Sequence, residues 1–439
     1  MKKTVTLIDQ VHIPQDTAFG ESSLLKGDIG DQPNQPTRGA HLFINTKMEF
    51  QTIQGIGGAF SEQGGKALLS LSEEAQDEVA KSLFDEKLTY FRLPVGSSDF
   101  GLDAYSFNET KDDFEMEHFS IDRDRNYVIP YMNACKNYCN DMKVHASPWA
   151  PPYWMKENQM PGSGSPLIDT KENYEAYAKY VGCFLDAYKE AGFPISRYCI
   201  QNEPDVDPAY PSCQISSKQM GTFIKYLHHH LTEKNCDTEI WAGTFRSING
   251  ASACEFLTEN PDCLSLISGV ASQYTMMQPL YEIGRNYPSL SQMHTESNCF
   301  HGENSWEQAI VLFLNIVEYY QAGCDTFTYW NMILNQESSS TWGWKQNSLV
   351  RIDEETHEVI YNPDYSIMSL AAKCMTAGSK RVIYSSMNKR GIAVTKPDGT
   401  IGFLTSNFSD KKEDGEVTVN GVSYPISLEP YSISYFEIK

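Results

Sequence analysis

From residue 53 to about 376 the chain alternates short strand-like runs with helical ones, and this alternation restricts the fold more than any other property. The strand candidates are Gly55–Ser61, Tyr90–Val95, Lys143–Ser147, Tyr198–Gln201, Glu239–Phe245, Leu266–Tyr274, Gln292–Glu296 and Thr326–Asn331. Eight strands separated by helical segments predict an α/β fold of the (β/α)8 TIM-barrel type. The helices announce themselves by spacing and by caps. Tyr174, Tyr177, Val181, Phe184, Leu185 and Tyr188 form an apolar stripe within 172–188, which reads as core. Ser72 ahead of Glu73 and Glu74 opens another helix. Ser305 with Gln308 makes a capping box for a helix through Val317 and Tyr320, and 365–375 supplies the eighth.

The two ends of the chain have a different texture. Residues 4–8 and 40–44 read as strands, separated by a loop rich in Gly, Pro, Asp and Gln at 27–39. After about residue 378 short alternating strands return, with hairpin signals at Pro397-Asp398-Gly399 and Asn420-Gly421. Two N-terminal strands do not make a sheet alone. The expected division is therefore 1–50 as the N-terminal strands of a β-sandwich, 51–377 as the barrel, and 378–439 as the rest of the sandwich. A smaller all-β domain would thus be built from both chain termini.

Composition excludes several partners. A net charge of −22 repels phosphate backbones and anionic lipid, so nucleic acid and membrane surfaces are not expected as partners. Neutral small molecules or neutral glycans fit better. The eleven cysteines are odd in number and show no CxxC spacing; Cys135 and Cys139 fall four apart on an expected helix. That pattern suits free thiols in a reducing compartment. The apolar stretch near the start is cut off at Asp9 and Gln10, which leaves no secretory segment, and no run approaches the ~18 apolar residues of a membrane span. A cytoplasmic protein is the expectation. His228, His229 and His230 are consecutive and spread around a helix, so no metal site is expected. No cofactor motif emerges either. In Gly55-Ile56-Gly57-Gly58-Ala59-Phe60 the third glycine of a dinucleotide loop would fall at Phe60, and the pattern fails.

The chemistry is carried by two glutamates. Gln201-Asn202-Glu203-Pro204 and His294-Thr295-Glu296-Ser297 each follow a strand-like segment, which is how a carboxylate is presented at the C-terminal mouth of a barrel. Two such groups facing one pocket can divide acid and base roles, the division that glycosidic cleavage requires. Their surroundings add weight. Arg92 lies inside an apolar strand, and a buried arginine needs a carboxylate partner. Glu62 ends the first strand, where an acid also serves a helix N-terminus. Trp149 and Trp154 stand on a proline-stiffened loop, Trp330 ends the eighth strand, and Tyr274 ends the sixth. Each could line a sugar site or pack in the core.

Together the motifs GIGGAFSE, FRLPVGSSDF, SPWAPPYWMK, QNEPD, TES and YWN resemble glycoside hydrolase family 30, the family of lysosomal glucosylceramidase and of bacterial β-glucosidases and β-xylosidases. The likeness runs over most of the chain. It implies a (β/α)8 barrel with a sandwich from both chain ends, and hydrolysis with retention of anomeric configuration. By motif, Glu203 resembles the acid/base and Glu296 the nucleophile. Asn202 matches the asparagine that bonds the sugar 2-hydroxyl, Arg92 the arginine that keeps the nucleophile charged, and Tyr274 the tyrosine beside it. Trp149 and Trp330 match sugar-contacting tryptophans, and Asp99 of FRLPVGSSDF joins the substrate-binding or supporting set. Glu62 stands where the family usually has an aspartate that binds distal hydroxyls. Ser272-Gln273 departs from the His-Trp of the glucosylceramidase branch. Exo action on a small β-glycoside, of β-glucosidase, glucosylceramidase, β-xylosidase or β-fucosidase type, is the expectation, because a cytoplasmic enzyme meets imported oligosaccharides rather than polymers. Endo-β-1,6-glucanase or xylanase action is the alternative, and a silent glycan-binding barrel a further one.

Overall fold

The structure is a computed structural model that describes residues 4–17, 39–85, 88–246, 251–275, 277–296 and 301–439. The loop expected at 27–39 falls outside these apart from Gly39, as do Ser297 and Cys299. Two compact units emerge: residues 57–303 with 322–361, and residues 1–56 with 304–321 and 362–439. Against the expected limits, the helices Trp306–Gln321 and Pro363–Cys374 fall with the terminal strands rather than with the barrel.

All eight anticipated barrel strands form. They are β1 Gly55–Gly58, β2 Tyr90–Val95, β3 Lys143–Pro148, β4 Ile195–Cys199, β5 Glu239–Arg246, β6 Gly269–Gln273, β7 Ser291–Glu296 and β8 Cys324–Tyr329. Neighbours in sequence are neighbours in the sheet, and β1 also lies beside β8. The ring closes at the end of β1, where Ala59 N–H donates to the Tyr329 carbonyl (2.8 Å) and Phe60 N–H to the Arg92 carbonyl (3.0 Å). The glycines of the first motif have a steric cause. A Cβ on Gly57 would sit 1.9 Å from the Tyr90 carbonyl oxygen, so only glycine permits this approach of strand to strand. Near the N-terminal ends of the strands, Arg197 of β4 grips Asp325 of β8 bidentately at 2.9 and 2.8 Å, a geometry that ties opposite walls of the barrel.

One helix of this unit begins where its cap predicted: Ser72 accepts from Ala75 N–H at the start of Glu73–Phe84. The helix Lys171–Glu190, capped by Thr170, buries the tyrosine stripe. The helix Val128–Lys136 ends before Cys139, so the cysteine pair does not share a helix, although both are buried. Among the described residues no helix is long and apolar enough to cross a membrane.

The other unit holds an eight-stranded sheet ordered 5–12, 432–438, 401–407, 391–395, 380–386, 41–52, 413–419 and 422–428. The second N-terminal strand is longer than its sequence suggested, running from His41 to Thr52. Its pairing with 380–386 contains register shifts, and the polar residues past Asn45 mask its continuation. Leu42, Ile44, Val382, Phe403, Val417, Ile426 and Phe436 share one core, drawn from strands at both halves of the order. The 420–421 hairpin follows its signal: Asn420 and Gly421 take φ of 50° and 89°, the two left-handed positions of a tight turn.

Replacing Gly57 with alanine is expected to cost at least about 3 kcal/mol, because the clash is with backbone that cannot rotate away. Gly399→Ala, at φ 85° with nothing within 4 Å, should cost only about 1 kcal/mol. Urea unfolding of the two variants measures the contrast.

Candidate active site

The C-terminal ends of β2, β4, β5, β6 and β7 bring the predicted acids together. Glu296 is the last residue of β7. Glu203 lies four residues beyond β4, yet the segment stays ordered: Gln201 N–H donates to the Gly243 carbonyl (3.1 Å) and Glu203 N–H to the Thr244 carbonyl (3.0 Å). Glu203 and Tyr274 both adopt left-handed backbone, with φ of 44° and 47°, conformations that non-glycine residues hold at a cost and that concentrate at working sites.

Arg92 is fully buried in β2 and spends all five of its N–H donors. Nη1 donates to Glu296 Oε2 (2.6 Å) and the Thr295 carbonyl (3.2 Å). Nε and Nη2 donate to the Ser147 hydroxyl at 3.1 and 3.0 Å, and Nη2 also to Asn202 Oδ1 (2.7 Å). The carboxylate partner expected for this arginine is therefore Glu296. Tyr274 completes the grip, its hydroxyl donating to Glu296 Oε1 at 2.8 Å. Asn202 Oδ1 accepts from Arg92, from the Thr244 hydroxyl (3.2 Å) and from Gln273 (3.3 Å). Its oxygen thus faces donors, and its NH2 is the group it can offer to a ligand.

Gln273, at the end of β6, joins the two acids. Its Nε2 donates to Glu203 Oε1 (3.2 Å) and to Glu296 Oε2 (3.3 Å). Laid end to end these bonds keep the two oxygens within about 6.5 Å. Retention calls for carboxyl groups ~5–5.5 Å apart and inversion for ~6.5–9.5 Å. Burial, then the charge of Glu296, pushes the Glu203 carboxyl up to about 7; Arg246, the Gln273 hydrogen bond and Arg92 act in the opposite sense. The Glu203 proton thus survives to neutral pH, as an acid catalyst requires.

The aromatic residues divide into two tiers. Trp149 and Trp330, expected as sugar-facing surfaces, are 2% and 0% exposed. They stack on each other at 5.0 Å and lie 4.5 and 5.5 Å over the Arg92 guanidinium. Their place is beneath the site, covering the arginine. The half-buried rings are Tyr210 and Trp344, 4.9 Å apart. Tyr210 OH reaches Glu203 Oε2 at 3.4 Å, and Trp344 Nε1 donates to Asp99 Oδ2 at 3.3 Å. Trp154, by contrast, is core: its Nε1 donates to the Asn108 carbonyl.

Asp99 is buried, and its Oδ1 has no hydrogen-bond partner among the described residues. Burial first, then the charges of Glu296 and Glu203, holds its carboxyl well above the ordinary range. Glu62 does not join this group. Its oxygens are taken by Arg123 (2.9 and 3.2 Å) and by Leu102 N–H (2.7 Å), so it anchors the loop that carries Asp99 and presents no open oxygen to a sugar. The residues that sequence did not supply are Gln273, Thr244, Arg246, Tyr210 and Trp344. Of these only Gln273 left a trace, as a departure from a motif.

Comparison with known proteins places the chain beside glycoside hydrolases. Residues 53–225 match the glycosyl hydrolase family 30 TIM-barrel domain. Putative glucosylceramidase 3 of Caenorhabditis elegans is 26% identical over 378 residues, covering 81% of this chain and 72% of that protein. The crystal structure of SrfJ from Salmonella typhimurium superposes with a TM-score of 0.85 at 22% identity, over 92% of this chain and 94% of the other. That of the endo-β1,6-glucanase BT3312 gives 0.82 at 20%, over 90% and 93%. At these identities the two structures attest a shared fold.

The raised Glu203 carboxyl has a stability consequence. Between the ordinary value of 4.5 and about 7 the folded state binds the proton that the unfolded state releases, so stability falls as pH rises through this window. Glu203→Gln removes that penalty. The variant should match the parent near pH 4.5 and exceed it by up to about 3 kcal/mol at pH 8, read as Tm at the two pH values.

Proposed function

Because the chain belongs to glycoside hydrolase family 30, whose members hydrolyse with retention, we propose that it removes the terminal sugar of a small β-glycoside by double displacement, with Glu296 as nucleophile and Glu203 as acid/base. The observation that carries this reading is the single amide nitrogen of Gln273 bonded to both carboxyl groups, a closeness that favours direct attack by Glu296 over attack by a water placed between Glu296 and the sugar.

Glu296 Oε2 is occupied by Arg92 and Gln273, whereas Oε1 bears the Tyr274 hydrogen bond. Oε1 is accordingly the attacking oxygen. It forms the bond to the anomeric carbon as the bond to the aglycone oxygen breaks. Glu203 Oε1 is turned toward Gln273 and Arg246, so the proton resides on Oε2, beside Tyr210, and passes to the departing oxygen. Loss of the Glu296 charge on glycosylation then lowers the Glu203 carboxyl, which takes a proton from water in the second step. Asn202 offers its NH2 to the sugar. The buried carboxyl of Asp99, whose Oδ1 has no hydrogen-bond partner among the described residues, supports recognition of the hydroxyls of a terminal residue. The acidic surface and scattered cysteines support a cytoplasmic setting and a neutral substrate.

The likeness to an endo-β1,6-glucanase favours a second reading, internal cleavage of a β-glucan. Product lengths decide between the two: monosaccharide alone from β-1,6-glucan or from short oligosaccharides is expected, and a ladder of larger fragments would support the endo reading. A nitrophenyl β-glycoside panel identifies the sugar.

Glu296→Gln should abolish turnover, and near-parental activity would overturn the assignment. Glu203→Gln should lose about 10²–10⁴-fold on substrates with poor leaving groups. The loss in the first step should shrink sharply on a dinitrophenyl glycoside, whose leaving group needs no proton. Pre-steady-state burst kinetics separate the two cases.

A further inference from the structure

Gln273 is buried, and its orientation is fixed from both ends. Its Oε1 accepts from the hydroxyls of Thr244 (2.7 Å) and Thr295 (3.0 Å). Its Nε2 therefore faces Glu203, Glu296 and Asn202 Oδ1, three acceptors for two hydrogens. In the barrel it pairs with Arg246 of β5 on one side and Glu296 of β7 on the other.

The reaction proposed above moves one negative charge between these partners. Before attack Glu296 carries it and Glu203 is protonated. In the glycosyl-enzyme Glu296 is a neutral ester, and Glu203 has surrendered its proton to the aglycone. We propose that Gln273 is a positioning residue whose fixed amide donates to whichever carboxylate is charged, so that the charge changes address without any donor having to move. This inference rests on the acid/base and nucleophile assignments and deepens them. A preorganised donor costs no reorganisation at either step, and a hydrogen bond to the charged form favours that form.

Other charged and titratable groups also face the pair. Arg92 and Tyr274 contact Glu296; Arg246 and Tyr210 contact Glu203; Asp99 lies near both. All of these remain when Gln273 alone is changed, so a difference in pH response reports the amide.

The test is Gln273→Met in the full chain, a near-isosteric change without donors. Without the hydrogen bond its carboxylate form is less favoured, so Glu203 stays protonated to higher pH. The basic limb of kcat/KM should move up by about one pH unit. Both steps should slow by roughly 10- to 100-fold: the first read as kcat/KM on a nitrophenyl glycoside, the second as kcat on a dinitrophenyl glycoside. A limb within about 0.2 unit of the parent, or a loss confined to one step, would overturn the proposal. If the Met variant does not fold by circular dichroism, Gln273→Glu keeps the shape and adds a third carboxylate. It should shift the limb further upward, and an unmoved limb again overturns the idea. Should Glu296→Gln remain active, the functional reading itself is at fault; should it be dead while Gln273→Met keeps the parental limb, only this inference falls.

Discussion

A guanidinium buried without water must have every donor answered, and around Arg92 that requirement organises the site. Its five hydrogen bonds reach β3 through Ser147, the segment after β4 through Asn202, and β7 through Thr295 and Glu296. Removing one partner of such a pair leaves an uncompensated charge, a penalty of about 3–5 kcal/mol. The positions of Asn202 and Glu296 are thereby fixed relative to one another by a single side chain. Trp149 and Trp330 cover its face and exclude the water that would weaken these contacts. The tryptophans serve the chemistry by desolvating the arginine.

Upon that frame, electrostatics assign the roles. Glu296 is opposite a full positive charge at 2.6 Å. Glu203 faces Arg246 at the longer distance of 3.9 Å, and burial raises it. Two carboxyl groups of the same chemical type thus meet different neighbours, the kind of contrast by which one site can divide acid and base work. Asp99, near both, has its carboxyl pushed well above the ordinary range by burial and by their charges.

The barrel and the two acids are legible in the sequence because their signals are local. A strand buried on both faces is a short apolar run, a cap is a serine three residues before its partner, and an Asn-Gly hairpin is two adjacent residues. Arg92 is legible because a charge inside an apolar strand has few physical excuses. What escapes is set by distance along the chain. The Gln273 bridge depends on the registers of β5, β6 and β7, which no single segment encodes. Tyr210 and Trp344 lie on loops whose course is decided elsewhere. Glu62 shows the same limit from the other direction: its place beside the strand end is visible, but the claim of Arg123 upon it, from 61 residues away, is not. Trp149 and Trp330 are identifiable as site residues, yet their mutual stacking is a tertiary fact.

The terminal sheet imposes an order of events on synthesis. The strand at Val5–His12 pairs with Ser432–Ile438, and His41–Thr52 pairs with strands that begin at Lys380 and Glu413. These segments leave the ribosome before the barrel segments, and their partners after them. At about 5–20 residues per second they wait tens of seconds without a partner edge, while the intervening barrel segments are made. An unpaired strand invites association with other chains. Exposed Leu7, Ile8, Phe43, Met48 and Phe50 place apolar side chains on those two waiting segments, the kind of surface that calls for shielding until the partner strands are made.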